Sequence, residues 1–143
     1  MRVIVDTTVL VYAVGMEHAL REPCRQLLVA HGRGHITVST TVEVLQEFVH
    51  VQARRRDRHD ATTLARQYLD ALELIVQEPR DLDLGLTLFE RHPRLGAFDA
   101  VLAAVALNRG VDILISADRA FAEIPNLPCL HPTSPEFNRL LTG

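Results

Sequence analysis

Residues 1–10, Met1-Arg-Val-Ile-Val-Asp6-Thr-Thr-Val-Leu10, decide the fold. Arg2–Val5 is a short run rich in β-branched residues that stops at an acidic one, the pattern of a buried strand. Asp6 therefore falls at the strand's carboxyl end. Thr7 and Thr8 then have the chemistry to cap a short helix through Val14, which Gly15 would close. A strand that is apolar at consecutive positions needs cover on both faces, and helices supply that cover when the sheet is parallel.

The rest of the chain repeats the strand-then-helix alternation. Helical spacing runs from Glu17 to His31 through Leu20, Cys24, Leu27 and Leu28, and a second strand is expected over His35–Ser39. Thr40-Thr-Val-Glu43 fits a capping box opening a helix that reaches about Arg56. Another helix starts near Asp60, with Leu64, Tyr68, Leu72 and Ile75 as its stripe. A minor strand is expected over Val76–Glu78. Leu82, Leu86 and Phe89 mark a fifth helix that stops near Pro93. Phe98–Arg109 forms a sixth, ended by Gly110, and Val111–Ile115 is the clearest strand. Ser116-Ala-Asp118 caps a short helical turn, Leu127–Leu130 offers a last strand, and Thr133-Ser-Pro-Glu136 opens a terminal helix to Leu141. In that helix Phe137, Leu140 and Leu141 form a stripe for the core or for a second subunit. The expected architecture is α/β, with a mainly parallel sheet between helical layers, in one domain spanning residues 1–143.

Composition narrows the function. Hydrophobic residues make up 48% and charged residues 23%, too apolar for a disordered chain. No apolar run approaches the roughly 20 residues that span a bilayer, and Asp6 interrupts the N-terminus too early for a secretory leader. A cytoplasmic protein without a membrane anchor is expected. Cys24 and Cys129 sit in no zinc pattern and are expected to be free thiols. All 15 basic residues are arginine. The missing lysine excludes receiver domains, Walker-type nucleotide hydrolases and phosphatases of the haloacid-dehalogenase type, which need one. The last class also needs a second aspartate where this chain has Thr8.

In a sheet of this kind, ligands collect beyond the carboxyl ends of the strands. Asp6 ends the first strand and Asp118 follows the Val111–Ile115 strand by three positions, so both belong to one sheet edge. Each is also a good helix cap, and that reading stands beside the functional one. Asp99 opens Phe98-Asp-Ala-Val-Leu-Ala-Ala-Val-Ala-Leu, a helix apolar nearly all round and therefore buried, where a carboxylate needs a cation or a proton. Glu47 shares a helix face with Val44 and Val51. Glu43, one turn earlier, is accounted for by the capping box. Four carboxylates on one edge would repel: two charges about 4 Å apart cost about 4 kcal/mol at an effective dielectric of 20. A divalent cation relieves this, and oxygen-only donors select Mg²⁺ or Mn²⁺, ions suited to phosphoryl chemistry.

In this order the motifs resemble PIN domains, and VapC toxins in particular, over essentially the whole chain. Val3-Ile-Val-Asp6-Thr-Thr-Val-Leu10 resembles the family's opening strand and acidic residue, and Thr41-Val-Glu-Val-Leu-Gln-Glu47-Phe-Val49 its glutamate helix. Phe98-Asp99-Ala-Val-Leu-Ala-Ala104 and Ile113-Leu-Ile-Ser116-Ala-Asp118-Arg-Ala-Phe121 resemble the third and fourth acidic motifs. The resemblance implies a PIN-like three-layer α/β/α sandwich and a Mg²⁺- or Mn²⁺-dependent endoribonuclease that leaves a 3′-hydroxyl and a 5′-phosphate. It implies Asp6, Asp99 and Asp118 as metal-binding residues, with Glu47 orienting or deprotonating a water. It also implies an RNA substrate, a homodimer and a VapB-like antitoxin as partner. Thr8 departs from the family's usual Asn by losing the amide, and Ser116 stands where Thr is common. A PIN-like module that binds RNA or a partner without cutting is the alternative. The arginines of Arg54-Arg-Arg-Asp-Arg-His59 read as a solvated helix end, as contacts to RNA backbone or as contacts to an antitoxin. Arg91, His92, Arg94 and Arg119 are further phosphate candidates. With aromatics at only 5%, a long base-stacking platform is not expected.

Overall fold

The computed structural model describes residues 1–143. Five strands form one sheet: β1 (Arg2–Val5), β2 (Thr37–Thr41), β3 (Glu73–Ile75), β4 (Ile113–Ile115) and β5 (Cys129–Leu130). Seven helices accompany them: α1 (Thr7–Val14), α2 (Arg21–Gly32), α3 (Val42–Gln52), α4 (Arg58–Ala71), α5 (Pro79–Arg91), α6 (Ala97–Arg109) and α7 (Pro135–Thr142). A 3-10 turn at Arg119–Glu123 follows β4. No helix is long and apolar enough to cross a membrane.

The strand order is β3-β2-β1-β4-β5 and every pairing is parallel. Val3, Ile4 and Val5 are all 0% exposed. Successive strand side chains point to opposite faces, so both faces of β1 are covered, as the opening run predicts. The chain leaves β1 in one direction through β2 and β3, then returns to the other side of β1 through β4. β1 and β4 therefore flank the point where the winding reverses, the crevice such sheets use for ligands.

Helix α6 is buried from Ala100 through Ala106, as its all-round apolar sequence requires. It ends at Gly110, whose φ of 60° lies in the left-handed region that favours glycine. Helix α5 packs closely on it. A Cβ at Gly85 would lie 2.8 Å from the Val101 Cα and 2.7 Å from its Cγ2, so only glycine fits there.

The three apolar residues that mark α5 in the sequence turn out to be exposed: Leu82, Leu86 and Phe89 face outward, while Asp81, Gly85 and Leu88 face the core. Asp81 can be buried because Arg109 donates to both its oxygens, at 2.9 and 2.8 Å, and Asn108 donates at 2.8 Å. Burial alone would push this carboxyl up, but those donors hold it below the usual carboxylate range.

Several element ends differ from expectation. β2 covers Thr37–Thr41 instead of His35–Ser39, because Ser39, Thr40 and Thr41 continue the ladder opposite Glu73, Leu74 and Ile75. The third strand is accordingly Glu73–Ile75, and Val76–Glu78 connects it to α5, whose first turn is closed by a Glu78–Asp81 capping box. Helix α2 begins at Arg21, four residues late, because Met16–Ala19 forms a loop in which the Leu20 N–H donates to His18 Nδ1. Phe137 is 0% exposed and Leu140 and Leu141 pack partly on the core, so the terminal stripe docks against this chain's own core. Cys24 and Cys129 are free thiols, as expected.

Candidate active site

Asp6 links strand to helix. Its side chain caps α1 by accepting from the Thr8 N–H at 3.1 Å, so of the cap candidates the sequence offers, Asp6 takes the role and Thr7 and Thr8 do not. The cap occupies only part of the carboxylate. The Thr8 hydroxyl donates to the same Oδ1 at 2.6 Å, and the Ser116 hydroxyl donates to Oδ2 at 2.5 Å. Both hydroxyls also accept: Thr8 from the Ala117 N–H at 3.0 Å, Ser116 from the Asp118 N–H at 2.9 Å. These bonds fasten the end of β1 to the segment following β4. The threonine hydroxyl at position 8 thus bridges Asp6 to the Ala117 backbone.

Asp6 is 3% exposed. Burial pushes its carboxyl up to about 6, against the opposing pull of the Ser116 and Thr8 donors. Asp99, in the first turn of α6, is half-buried. Its carboxyl is pushed up to about 7, first by burial and then by the charges of Asp6, Asp118 and Glu47. None of the four carboxylates takes part in any of the chain's ion pairs, all of which lie elsewhere.

Asp6, Glu47 and Asp99 line one cavity of about 200 Å³, whose wall includes Phe98, Val101 and Leu102. Asp118 is outside that lining. It is exposed at the edge, and its Oδ1 accepts from the Ala120 N–H at 2.9 Å, capping the 3-10 turn. The cap reading and the site reading of Asp6 and Asp118 are therefore compatible, because each cap leaves an oxygen or a face of the carboxylate for other work.

Glu43 needs a correction. The helix cap is Thr41, whose hydroxyl accepts from the Val44 N–H at 3.2 Å, while the Thr40 hydroxyl is buried and donates to the Val5 carbonyl at 2.9 Å. The expected capping box is off by one residue, and Glu43 lines the same cavity as Asp6, Glu47 and Asp99. Two adjacent threonines made the register ambiguous, and the alternation of a strand continuing through Thr41 was the signal that could have resolved it.

The donor chemistry fits a hard divalent cation. Carboxylate oxygens face the cavity, and the two thiols nearby are not available as thiolates. Burial, with the Asp6 charge adding to it, pushes Cys24 up to about 12 and Cys129 up to about 11. No three acidic, histidine or cysteine side chains lie close enough to form a ready-made metal cage.

With the crevice in view, the likeness to known proteins is specific. The PIN-domain family model matches residues 3–127, and the chain belongs to the PIN-domain family. Ribonuclease VapC7 of Mycobacterium tuberculosis is 50% identical to it over 87% of this chain and 88% of that one. Ribonuclease VapC23 of the same species is 33% identical over 84% of this chain and 95% of that one. Among solved structures, VapBC2 from Rickettsia felis bound to a DNA fragment from its promoter matches with a TM-score of 0.73 at 19% identity, covering 92% of this chain and 98% of that one. The M. tuberculosis toxin VapC20, which cleaves the sarcin-ricin loop, matches with a TM-score of 0.72 at 19% identity, covering 84% and 92%. At such identities the structural matches establish the three-layer PIN fold.

Proposed function

We propose that this chain is a single PIN domain acting in the cytoplasm as a Mg²⁺- or Mn²⁺-dependent endoribonuclease, the toxin of a VapBC-type pair. The observation that carries the proposal is the cavity at the strand ends, where buried Asp6 meets Asp99 and Glu47 with no basic side chain to compensate them. The 50% identity to a VapC ribonuclease over most of both chains supports the same reading.

Asp6 and Asp99 would hold the ion, and Asp118 would complete the site through water. When bound, the ion lowers the pKa of a coordinated water and takes up charge on the phosphate oxygens. The chain's own residues supply the rest. The Thr8 and Ser116 hydroxyls hold Asp6 in one orientation and favour its ionised form. Glu47 accepts a proton from the attacking water. The water oxygen bonds to phosphorus as the P–O3′ bond breaks, and the departing oxygen takes a proton from solvent, leaving a 3′-hydroxyl and a 5′-phosphate. A VapB-like antitoxin would restrain this activity, and the toxin would work as a homodimer.

The test is incubation of purified protein with cellular RNA in Mn²⁺, in Mg²⁺ and in chelator, with Asp6→Asn as control. Cleavage that needs the ion and vanishes in the variant supports the proposal. Cleavage equal in chelator or in the variant overturns it. Expression should halt growth, and co-expression of a VapB-like antitoxin that binds this chain should restore it.

A further inference from the structure

A second concavity opens on the other side of Glu47. It is a groove of about 730 Å³ between α1, the Gly15–His18 loop and the end of α3, and it shares Thr7 and Glu47 with the carboxylate cavity. The groove therefore adjoins the candidate active site at Thr7 and Glu47. The rest of its charged lining is Arg55, Arg56 and Glu17.

The two arginines do different things. The expected helix end at Arg56 is instead a turn, since α3 stops at Gln52. Arg56 folds back to donate to the Val14 carbonyl at 2.7 Å and to Gln52 Oε1 at 3.0 Å, and Gln52 is only 2% exposed. Arg56 thus ties the groove's two walls together. Arg55 makes no side-chain hydrogen bond or ion pair and is exposed, so its guanidinium is free for a phosphate.

Tyr12, Met16 and His18 also line the groove. The Tyr12 and His18 rings stack at 4.7 Å with a 34° tilt, and the His18 ring is fixed further by the Leu20 N–H donating to its Nδ1. The Tyr12 hydroxyl has no hydrogen-bond partner in the chain. Met16, beside them, is 89% exposed. The ring pair and the uncovered thioether give the groove an exposed apolar and aromatic patch.

We propose that this groove binds the single-stranded RNA segment adjoining the scissile phosphate, with one unpaired base on the Tyr12–His18–Met16 face and a neighbouring phosphate on Arg55. The substrate class follows from the chemistry: a base reaches such a face only where it is unstacked, in a loop or single strand and not within a duplex. This proposal rests on the ribonuclease reading of the adjacent cavity.

The experiment uses the full chain and a fluorescent single-stranded RNA of mixed sequence. Arg55→Gln, His18→Ala and Met16→Ala alter exposed side chains. Each is expected to raise KM about five- to tenfold with little change in kcat, since the contacts are uniform binding. Arg55→Gln should also flatten the dependence of log KM on log salt by about 0.7, the loss of one single-strand phosphate contact. A duplex of the same sequence should compete poorly. Anisotropy binding of the same RNA to Asp6→Asn separates the two readings. Binding that the groove substitutions weaken, beside a wild type that cleaves nothing in Mn²⁺, would sink the nuclease reading and keep the groove. Cleavage with unchanged KM and salt slope in all three variants overturns the groove, as does a loss confined to inhibition by the antitoxin, which would make the groove a peptide site. Neither binding nor cleavage by the wild type overturns both.

Discussion

The Ser116 hydroxyl donates to Oδ2 of Asp6 at 2.5 Å across 110 positions of sequence, joining the ends of the two central strands. This bond opposes the burial that pushes Asp6 up to about 6. Ser116→Ala should remove a charge-assisted bond worth about 1.5–3 kcal/mol. The Asp6 carboxyl then rises further, and the acidic limb of the pH–activity profile moves to higher pH. Ser116→Thr keeps the hydroxyl and should leave the limb near its wild-type position. The check is kcat/KM against pH for all three proteins. An unmoved limb in Ser116→Ala would show that the bond does not govern ionisation of Asp6.

Glu47 and Glu43 lie one helical turn apart on the same cavity wall, yet only Glu47 adds to the charge felt by Asp99. Glu47→Gln, Asp6→Asn and Asp99→Asn are each expected to lower kcat by at least a hundredfold, the range for a lost acid–base group. Glu43→Gln should lower it less than tenfold. Measured rates with the opposite ranking would move the proton-accepting role from Glu47 to Glu43.

The clamp between α5 and α6 is a stability element away from the chemistry. Arg109→Ala leaves Asp81 buried without its cation, a change that costs about 3–5 kcal/mol. Gly85→Ala forces a methyl against the Val101 backbone and should cost about 1–3 kcal/mol. Urea unfolding midpoints read both. A midpoint unchanged by Arg109→Ala would mean that Asp81 is relieved by protonation or by water.

What was legible in the chain follows how far each signal depends on local geometry. The strands β1 and β4, the buried helix α6 and its glycine stop were all readable, because continuous apolar runs leave few alternatives. Asp6, Glu47 and Asp99 were readable as a group because strand ends and helix faces fix where they point. Both expected capping boxes were displaced by one residue, to Thr41 and Ser134, because adjacent hydroxyl residues cap equally well and the tertiary pairing decides between them. The outward face of α5 was misleading for a related reason. An apolar stripe looks like a core face, and nothing local shows that a buried Asp81 with a distant Arg109 forms the packed side. The groove beside Glu47 was invisible, since it needs the turn after Gln52 that sends Arg56 back to Val14.

The carboxylates themselves set the pH and metal dependence of stability. Asp6 and Asp99 are raised to about 6 and about 7 in the folded chain, against about 4 when unfolded. Between about pH 4 and pH 7 the folded state therefore binds more protons than the unfolded one, and the linkage relation makes stability fall as pH rises. In chelator, the wild type should melt highest near pH 4–5 and lose stability through pH 7. A cation that binds only the folded arrangement reverses that loss. At a hundredfold excess over Kd it adds about 2.7 kcal/mol, several degrees of Tm for a chain of this size. Asp99→Asn removes one repelling charge while keeping the side chain's shape. At pH 8 in chelator it should melt above the wild type, and at pH 5, where Asp99 is protonated, the difference should shrink toward zero. It should also gain less from Mn²⁺. Thermal scans of both proteins at pH 5 and 8, in chelator and in millimolar Mn²⁺, give the comparison. Equal metal shifts in the two proteins, or a pH-independent gap between them, would mean that Asp99 does not share its site with Asp6 and Glu47.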